Sequence, residues 1–114
     1  MITVYGIPNC DSVKKGLKLL ENNNIDFQFH SFKKEGLDAK TVKNWLKTIP
    51  LEDLINKKGT TYRGLSDEEK LKADDKKEAV ELALSNTSII KRPVIDWGNG
   101  KITVGYSDSL LQNI

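Results

Sequence analysis

A strand, a loop and a helix follow one another at the start of the chain, and this succession restricts the fold more than any other feature. Residues 2–5 are β-branched or aromatic and are stopped by Gly6 and Pro8, which predicts a short first strand. Apolar residues then recur at helical spacing until Asn22, and residues 25–32 alternate between apolar and polar. The pattern predicts a βαβ unit with parallel strands and a right-handed crossover.

The middle of the chain, about residues 37–86, has helical patterning and no strand patterning. Apolar residues recur at helical spacing over 37–47, 51–56 and 66–84. The segment Ser66-Asp-Glu-Glu69 has the pattern of a capping box, which predicts a helix that begins after Ser66. We therefore expect an insertion of three or four helical pieces after the second strand.

Two further strands and a last helix are predicted near the end of the chain. Residues 93–97 and 101–104 flank Gly98-Asn-Gly100, a turn sequence that accommodates positive φ and is typical of an antiparallel hairpin. A last helix is expected from Ser107. The order β, α, β, helical block, β, β, α predicts an α/β, thioredoxin-like fold with a mixed four-stranded sheet, in a single domain over residues 1–114.

The composition excludes several classes of protein. Of the 114 residues 38% are apolar and 30% charged, and no window is apolar over the length that spans a bilayer. The formal net charge of +2 comes from charges scattered along the chain, so we expect no direct binding to nucleic acid. The first residues lack the pattern of a secretory signal. We expect a cytoplasmic monomer that does not contact a membrane.

The chain's one cysteine, Cys10, lies between the predicted first strand and first helix. A single Cys and a single His cannot form an internal disulfide or a structural zinc site, so we expect no metal. At a helix start, unpaired N–H groups and the helix dipole favour the thiolate, which is the nucleophilic form. The alternative interpretation is a buried free Cys that acts as a small apolar residue.

Val13 occupies the position where a Cys-x-x-Cys motif has its second cysteine. A disulfide of Cys10 must therefore form with another molecule. Lys91-Arg92-Pro93 is a candidate electropositive companion for such a thiolate, and its Arg-Pro bond before a strand is a candidate for the cis form. The alternative is that Lys91 and Arg92 are solvated charges.

Several separated motifs together resemble the ArsC family of arsenate reductases, in particular its YffB-like branch. They are, in chain order, Tyr5-Gly-Ile-Pro-Asn-Cys10, Lys57-Lys-Gly-Thr-Thr-Tyr-Arg63, Ile90-Lys-Arg-Pro-Val94 and Gly105-Tyr-Ser-Asp-Ser109. The likeness covers essentially the whole chain. It implies a thioredoxin-like fold with a helical insertion, which agrees with the predicted order of elements.

The resemblance also implies roles for particular residues. Cys10 is expected to be the nucleophile and Arg92 its electrostatic partner, with a cis proline at Pro93 beside them. The further candidates for contact with substrate or glutathione are Asn9, Pro93, Lys91 and Arg63. No bound cofactor is expected, and glutathione or another thiol is the expected cosubstrate, with a glutaredoxin-like protein as an alternative reductant.

Two positions depart from the pattern of the arsenate reductases. Those enzymes are expected to hold the oxyanion with three arginines, and only Arg92 has a clear match, since Asn56 and Tyr106 occupy the other two places. The incomplete clamp weighs against arsenate as the substrate. We therefore predict a glutathione-dependent thiol reductase that forms a mixed disulfide through one cysteine.

Two alternatives remain open. The superfamily includes Spx-type regulators, which bind the RNA polymerase α subunit, and such binding without a disulfide switch is compatible with the missing second cysteine. True arsenate reduction despite Asn56 and Tyr106 is the other alternative.

Overall fold

A mixed four-stranded sheet forms the centre of one of the two units into which the chain divides. The computed structural model describes residues 1–114. Met1–Gly36 and Arg92–Ile114 form the first unit, and Leu37–Lys91 forms the second. In chain order the strands are β1 (Ile2–Gly6), β2 (Phe27–Ser31), β3 (Val94–Asp96) and β4 (Ile102–Val104), arranged side by side as β2-β1-β3-β4.

The predicted βαβ unit is confirmed. Strands β1 and β2 pair in parallel, with Val4 opposite Phe29, and helix α1 (Asp11–Asn22) lies between them in the chain. Strand β3 pairs antiparallel with β1 and with β4. The sheet is therefore mixed, as the sequence predicts, and the fold is the thioredoxin-like α/β class.

The first unit has a core between its sheet and its helical segments. Its buried centre consists of Val4, Leu20, Ile95, Trp97 and Leu110. Each large apolar side chain removed from water contributes about 1.5–3 kcal/mol to folding. Val4 of β1, Ile95 of β3 and Leu20 of α1 meet in this core. Val94 and Ile95 are both buried, so β3 is covered on both faces.

Short helices make up the rest of the regular structure. After β2 the chain forms α2 (Phe32–Glu35) in the first unit. The second unit contains α3 (Ala39–Trp45), α4 (Leu51–Leu54), α5 (Thr60–Arg63), α6 (Asp67–Lys72) and α7 (Lys76–Ser85). Its buried apolar side chains include Val42, Trp45, Leu54, Ala83 and Ile89. None of the helices has the length and apolar character needed to cross a membrane.

Several helix bounds differ from the prediction. The segment 66–84 is two helices, because Asp75 caps α7 by accepting a hydrogen bond from the Glu78 N–H at 2.9 Å. The predicted strand 25–32 ends at Ser31, whose side chain accepts from the Lys34 N–H and caps α2. Helix α5 was not predicted. The expectation of a single domain with an insertion over about residues 37–86 stays a prediction.

Local signals at helix and strand ends are confirmed at two places. Ser66 and Glu69 form both hydrogen bonds of the capping box at the start of α6. Gly98 and Gly100 between β3 and β4 have φ values of 74° and 89°, the left-handed region that favours glycine. The last short helix predicted from Ser107 is present as a 3₁₀ helix that begins later, over Leu110–Asn113.

Candidate active site

Cys10 is the residue that caps the N-terminus of α1. Its backbone is extended, with φ −95° and ψ 128°, and its carbonyl accepts the first helical hydrogen bond from Lys14 at 2.9 Å. The N–H groups in the first turn of a helix have no carbonyl partner within the helix. A side chain at the cap position lies next to the N–H groups of the second and third helical residues. Here these are Ser12 and Val13. The half-buried thiol thus lies where N–H groups converge.

Two glycines allow the backbone to approach α1 closely. A Cβ on Gly6, at the end of β1, would lie only 2.6 Å from Cγ2 of Val13. A Cβ on Gly16 would lie 3.4 Å from Cγ of Pro93. The absence of both side chains lets β1 approach the first turn of α1 and lets Pro93 approach its second turn.

Arg92 lies beside Cys10 although the two residues are far apart in the chain. The Arg92–Pro93 peptide bond is cis, and Pro93 is buried directly before β3. Arg92 is half-buried and hydrogen-bonds to Cys10 through its side chain. The structure therefore places Cys10, Arg92 and Pro93 together in the first unit, while their chemical roles stay predictions.

The surroundings of Cys10 favour its ionised form. Burial alone would raise the pKa of the thiol, but the Val13 N–H, the hydrogen bond from Arg92, the Ser12 N–H and the Arg92 charge together lower the pKa below its ordinary value. No side-chain capping hydrogen bond is formed at Cys10. The N–H groups therefore act on the sulfur mainly through their dipoles, an attraction that strengthens once the sulfur is charged.

This arrangement can carry out thiol–disulfide exchange. A thiolate attacks a disulfide sulfur, and attack is favoured when the thiol pKa is near the ambient pH. Cys10 is the chain's one cysteine. A mixed disulfide on it must therefore be released by a thiol from another molecule. Among residues 1–114, no group of three or more His, Cys, Asp or Glu side chains could hold a metal ion.

The other predicted contact residues lie in different places. Asn9 is an exposed turn residue directly before Cys10 in the first unit. Lys91 and Arg63 are exposed and belong to the second unit, where the Lys91 N–H donates to the Leu54 carbonyl at 2.8 Å and Arg63 ends α5. Contact of Asn9, Lys91 and Arg63 with a substrate stays a prediction.

The two positions that lack the expected arginines have distinct surroundings. The N–H of the half-buried Asn56 donates to the Ile89 carbonyl at 2.7 Å within the second unit. Tyr106 lies in the first unit, and Nζ of Lys15 is 5.9 Å from the centroid of its ring. In place of the two expected arginines, the second unit therefore has the amide of Asn56, and the first unit has the phenol of Tyr106 with the Lys15 ammonium nearby.

Sequence reasoning expected unpaired N–H groups at the helix start but did not name their residues, and it missed the glycines that form the site. The Ser12 and Val13 N–H groups follow from Cys10 being a cap residue, so a cap assignment would have found them. Gly6 and Gly16 carry no local signal of their role, because their contacts are with Val13 and Pro93.

Residues 5–114 match the ArsC family. An uncharacterized protein of Haemophilus influenzae is 39% identical over 112 residues, covering 98% of this chain and 96% of that protein. The solved structure of a protein named YffB has a TM-score of 0.91 and 32% identity, covering 99% of this chain and 97% of that one. An arsenate reductase (ArsC) related protein from Brucella melitensis has 44% identity and a TM-score of 0.75, with 98% and 92% covered.

A relative with a different activity also matches. The global transcriptional regulator Spx of Lactiplantibacillus plantarum is 25% identical over 111 residues, covering 95% of this chain and 81% of the regulator. This chain is therefore similar both to a protein related to arsenate reductase and to a transcriptional regulator.

Proposed function

The chain belongs to the ArsC family, and we propose that it acts there as a thiol-dependent oxidoreductase whose Cys10 forms a mixed disulfide with glutathione or a related small thiol. The observation that supports this most is the position of Cys10, at the start of α1 beside Arg92, where the thiol pKa is lowered. A lowered pKa increases the thiolate fraction at neutral pH and with it the rate of attack on a disulfide.

The proposed exchange balances without a further reactant. The Cys10 thiolate attacks one sulfur of a disulfide, a new bond forms between Sγ and that sulfur, and the other sulfur leaves as a thiolate. A glutathione thiolate then attacks the mixed disulfide, returns Cys10 to the thiolate form and leaves with the bound group as a new disulfide. Each step exchanges one thiolate for another without net oxidation, and the sum of the two steps converts the substrate disulfide and one glutathione thiolate into a new mixed disulfide and one released thiolate.

Arg92 and the residues near Cys10 have separate roles in this proposal. Arg92 stabilises the Cys10 thiolate both before attack and when it leaves. Pro93 and Asn9, which flank Arg92 and Cys10 in the chain, contact the bound thiol. The protein acts in a reducing cytoplasm, where glutathione or a glutaredoxin-like protein supplies the second thiol.

Intact-mass measurement after incubation with oxidised glutathione at neutral pH tests the proposal. Wild-type protein is expected to gain one glutathione, and reduced glutathione is expected to remove it. Cys10→Ser is the matched control and gains nothing. Unmodified wild-type protein, at a disulfide concentration that modifies an exposed small-molecule thiol, contradicts the proposal.

Two other activities of relatives remain candidates. Similarity to Spx favours a transcriptional regulator. Saturable binding to the RNA polymerase α subunit by both wild-type protein and Cys10→Ser would support this alternative. Similarity to an arsenate reductase related protein favours arsenate reduction. This activity requires arsenate-dependent oxidation of thiols that is lost in both Cys10→Ala and Arg92→Ala.

A further inference from the structure

Asn99 and Gly100 lie side by side in the β3–β4 turn, and the proposed chemistry at Cys10 does not use them. Of the chain's asparagines, only Asn99 is followed by glycine. Both residues are exposed, and a Cβ on Gly100 would have no atom within 4 Å. Because Gly100 has no side chain, its backbone nitrogen is open to approach by the Asn99 side chain. The turn is therefore a place where an asparagine side chain can react with the backbone.

The hydrogen bonds of the turn leave the Gly100 nitrogen free and polarise the Asn99 amide. The turn is closed by the Trp97 N–H, which donates to the Lys101 carbonyl at 3.0 Å, while the Gly100 N–H donates to no acceptor. The Lys101 N–H donates to Oδ1 of Asn99 at 3.1 Å. A donor on this oxygen stabilises the negative charge that forms there when Cγ is attacked. A nucleophile and an activated carbonyl thus lie on adjacent residues.

The reaction between these two groups needs only water as a further reactant. The Gly100 nitrogen gives its proton to hydroxide and bonds to Cγ of Asn99, while Nδ2 takes up a proton, the Cγ–Nδ2 bond breaks and ammonia leaves. Water then opens the cyclic imide at either of its carbonyls. The products are aspartate at position 99 and isoaspartate, in which the main chain runs through Cβ. No atom changes its oxidation state, and the chain gains one negative charge.

The Asn99 side chain also holds the 3₁₀ helix Leu110–Asn113 against the turn. Its Nδ2 donates to the Asn113 carbonyl at 2.9 Å, and Nδ2 of Asn113 donates to the Leu110 carbonyl at 2.9 Å. Leu110 is buried in the same core as Trp97. A carboxylate at position 99 has no N–H to donate and repels the Asn113 carbonyl oxygen. Loss of the Asn99 amide therefore removes the contact between the turn and this helix.

We propose that Asn99 is a site of spontaneous deamidation, and that the carboxylate formed there releases the 3₁₀ helix Leu110–Asn113 from the β3–β4 turn. This inference goes beyond the proposed function and does not depend on Cys10. The change accumulates as the protein ages, and it loosens one edge of the core of the first unit.

Tryptic mapping by mass spectrometry, after prolonged incubation at neutral and at mildly alkaline pH, tests the deamidation. Fragment 92–101 contains Asn99, and fragment 19–33 contains Asn24, an exposed asparagine followed by the β-branched Ile25. Fragment 92–101 should gain the mass added when OH replaces NH₂, faster at the higher pH, and should separate into two products. Fragment 19–33 should stay unchanged, as should fragment 92–101 of Asn99→Gln, whose side chain must close a larger ring. An unmodified fragment 92–101 in wild-type protein, or equal modification of fragment 19–33, overturns the proposal.

Hydrogen exchange in Asn99→Asp tests the release of the 3₁₀ helix. Three backbone N–H groups in this region donate to nearby carbonyls, those of Leu110, Gln112 and Ile114. Loss of one neutral hydrogen bond should accelerate their exchange about two- to ten-fold. Asn24→Asp is the matched control, since it makes the same change of charge at an exposed asparagine whose side chain makes no hydrogen bond. Faster exchange in Asn99→Asp and in deamidated wild type, but not in Asn24→Asp, supports the proposal. Equal exchange in Asn99→Asp and wild type, or equal acceleration in Asn24→Asp, overturns it.

Discussion

Gly6 at the end of β1 lies against Val13 in the first turn of α1, so closely that a Cβ on Gly6 would be 2.6 Å from Cγ2 of Val13. Val13 is fully buried. Its N–H is one of the two that lower the Cys10 pKa. The contact between Gly6 and Val13 therefore links the packing of β1 against α1 to the position of the Val13 N–H beside the Cys10 thiol.

Gly6→Ala is expected to destabilise the protein and disturb Cys10 together. The added methyl must displace Val13, and such overpacking costs about 1–3 kcal/mol. Urea unfolding measures this cost, and alkylation kinetics report the change at Cys10. In a Val13→Ala background, which provides space, Gly6→Ala should cost much less. Equal costs in the two backgrounds would show that the Gly6–Val13 contact is unimportant.

Arg92→Gln is expected to raise the pKa of Cys10 and slow its reactions at neutral pH. The hydrogen bond and positive charge of Arg92 both lower the pKa, and the variant loses the charge and keeps only a shorter, neutral donor. A hydrogen bond to a charged group contributes about 1.5–3 kcal/mol, so the rate at pH 7 should fall roughly ten-fold or more. Lys101→Gln, an exposed residue of the β3–β4 turn, controls for net charge. Equal rates for Arg92→Gln and Lys101→Gln argue against an effect of Arg92.

The stability contributed by Cys10 should increase with pH. Because the folded-state pKa is below the unfolded value, this contribution is fully present only above the unfolded value of about 8.5. It is lost as the pH falls through the folded-state pKa. Unfolding free energies of wild type and Cys10→Ser between pH 6 and pH 9.5 test this, since serine does not titrate over that range.

The prediction concerns the difference in unfolding free energy between wild type and Cys10→Ser, and not either value alone. Serine is a good helix cap, so the variant gains a constant stabilisation that does not depend on pH. The wild-type free energy minus the variant free energy should rise with pH and level off above about pH 8.5. A difference that is flat or falls with pH contradicts a lowered pKa at Cys10.

Ser66→Ala is expected to destabilise the second unit by about 1 kcal/mol. Its hydroxyl accepts from the Glu69 N–H at 3.1 Å, and Glu69 accepts from the Ser66 N–H at 3.2 Å. Urea unfolding measures the loss. Ser66→Asp keeps an acceptor at the cap and should retain most of the stability. If the alanine and aspartate variants unfold alike, the capping box contributes nothing measurable.

The order of strands and helices could be predicted because its signals are local. The β-branched and aromatic residues of β1, the alternation in β2, the spacing in α1, the Gly98 and Gly100 turn and the Ser66 cap each lie within a few residues of what they specify. Helix α5 was missed because four residues without apolar periodicity give no such signal. The break before α7 was missed although Asp75 and Glu78 carry the spacing of a helix cap.

The site could be predicted only in part. Cys10 was found because a strand, a loop and a helix adjoin it in the chain. Its partner Arg92 was predicted from the resemblance to the ArsC family and not from a local pattern, because the two residues are 82 positions apart and their contact depends on β3 pairing with β1. The close approaches at Gly6 and Gly16 likewise depend on packing between elements.

The pH dependence of Cys10 alkylation in the wild-type protein tests the central claim most directly. Iodoacetamide reacts with the thiolate, so the rate as a function of pH gives the pKa of the thiol, with Cys10→Ser as the blank. We predict a midpoint below the ordinary thiol value of about 8.5. A midpoint at or above that value would contradict the account, because the N–H groups of Ser12 and Val13 and the Arg92 side chain would then not stabilise the thiolate.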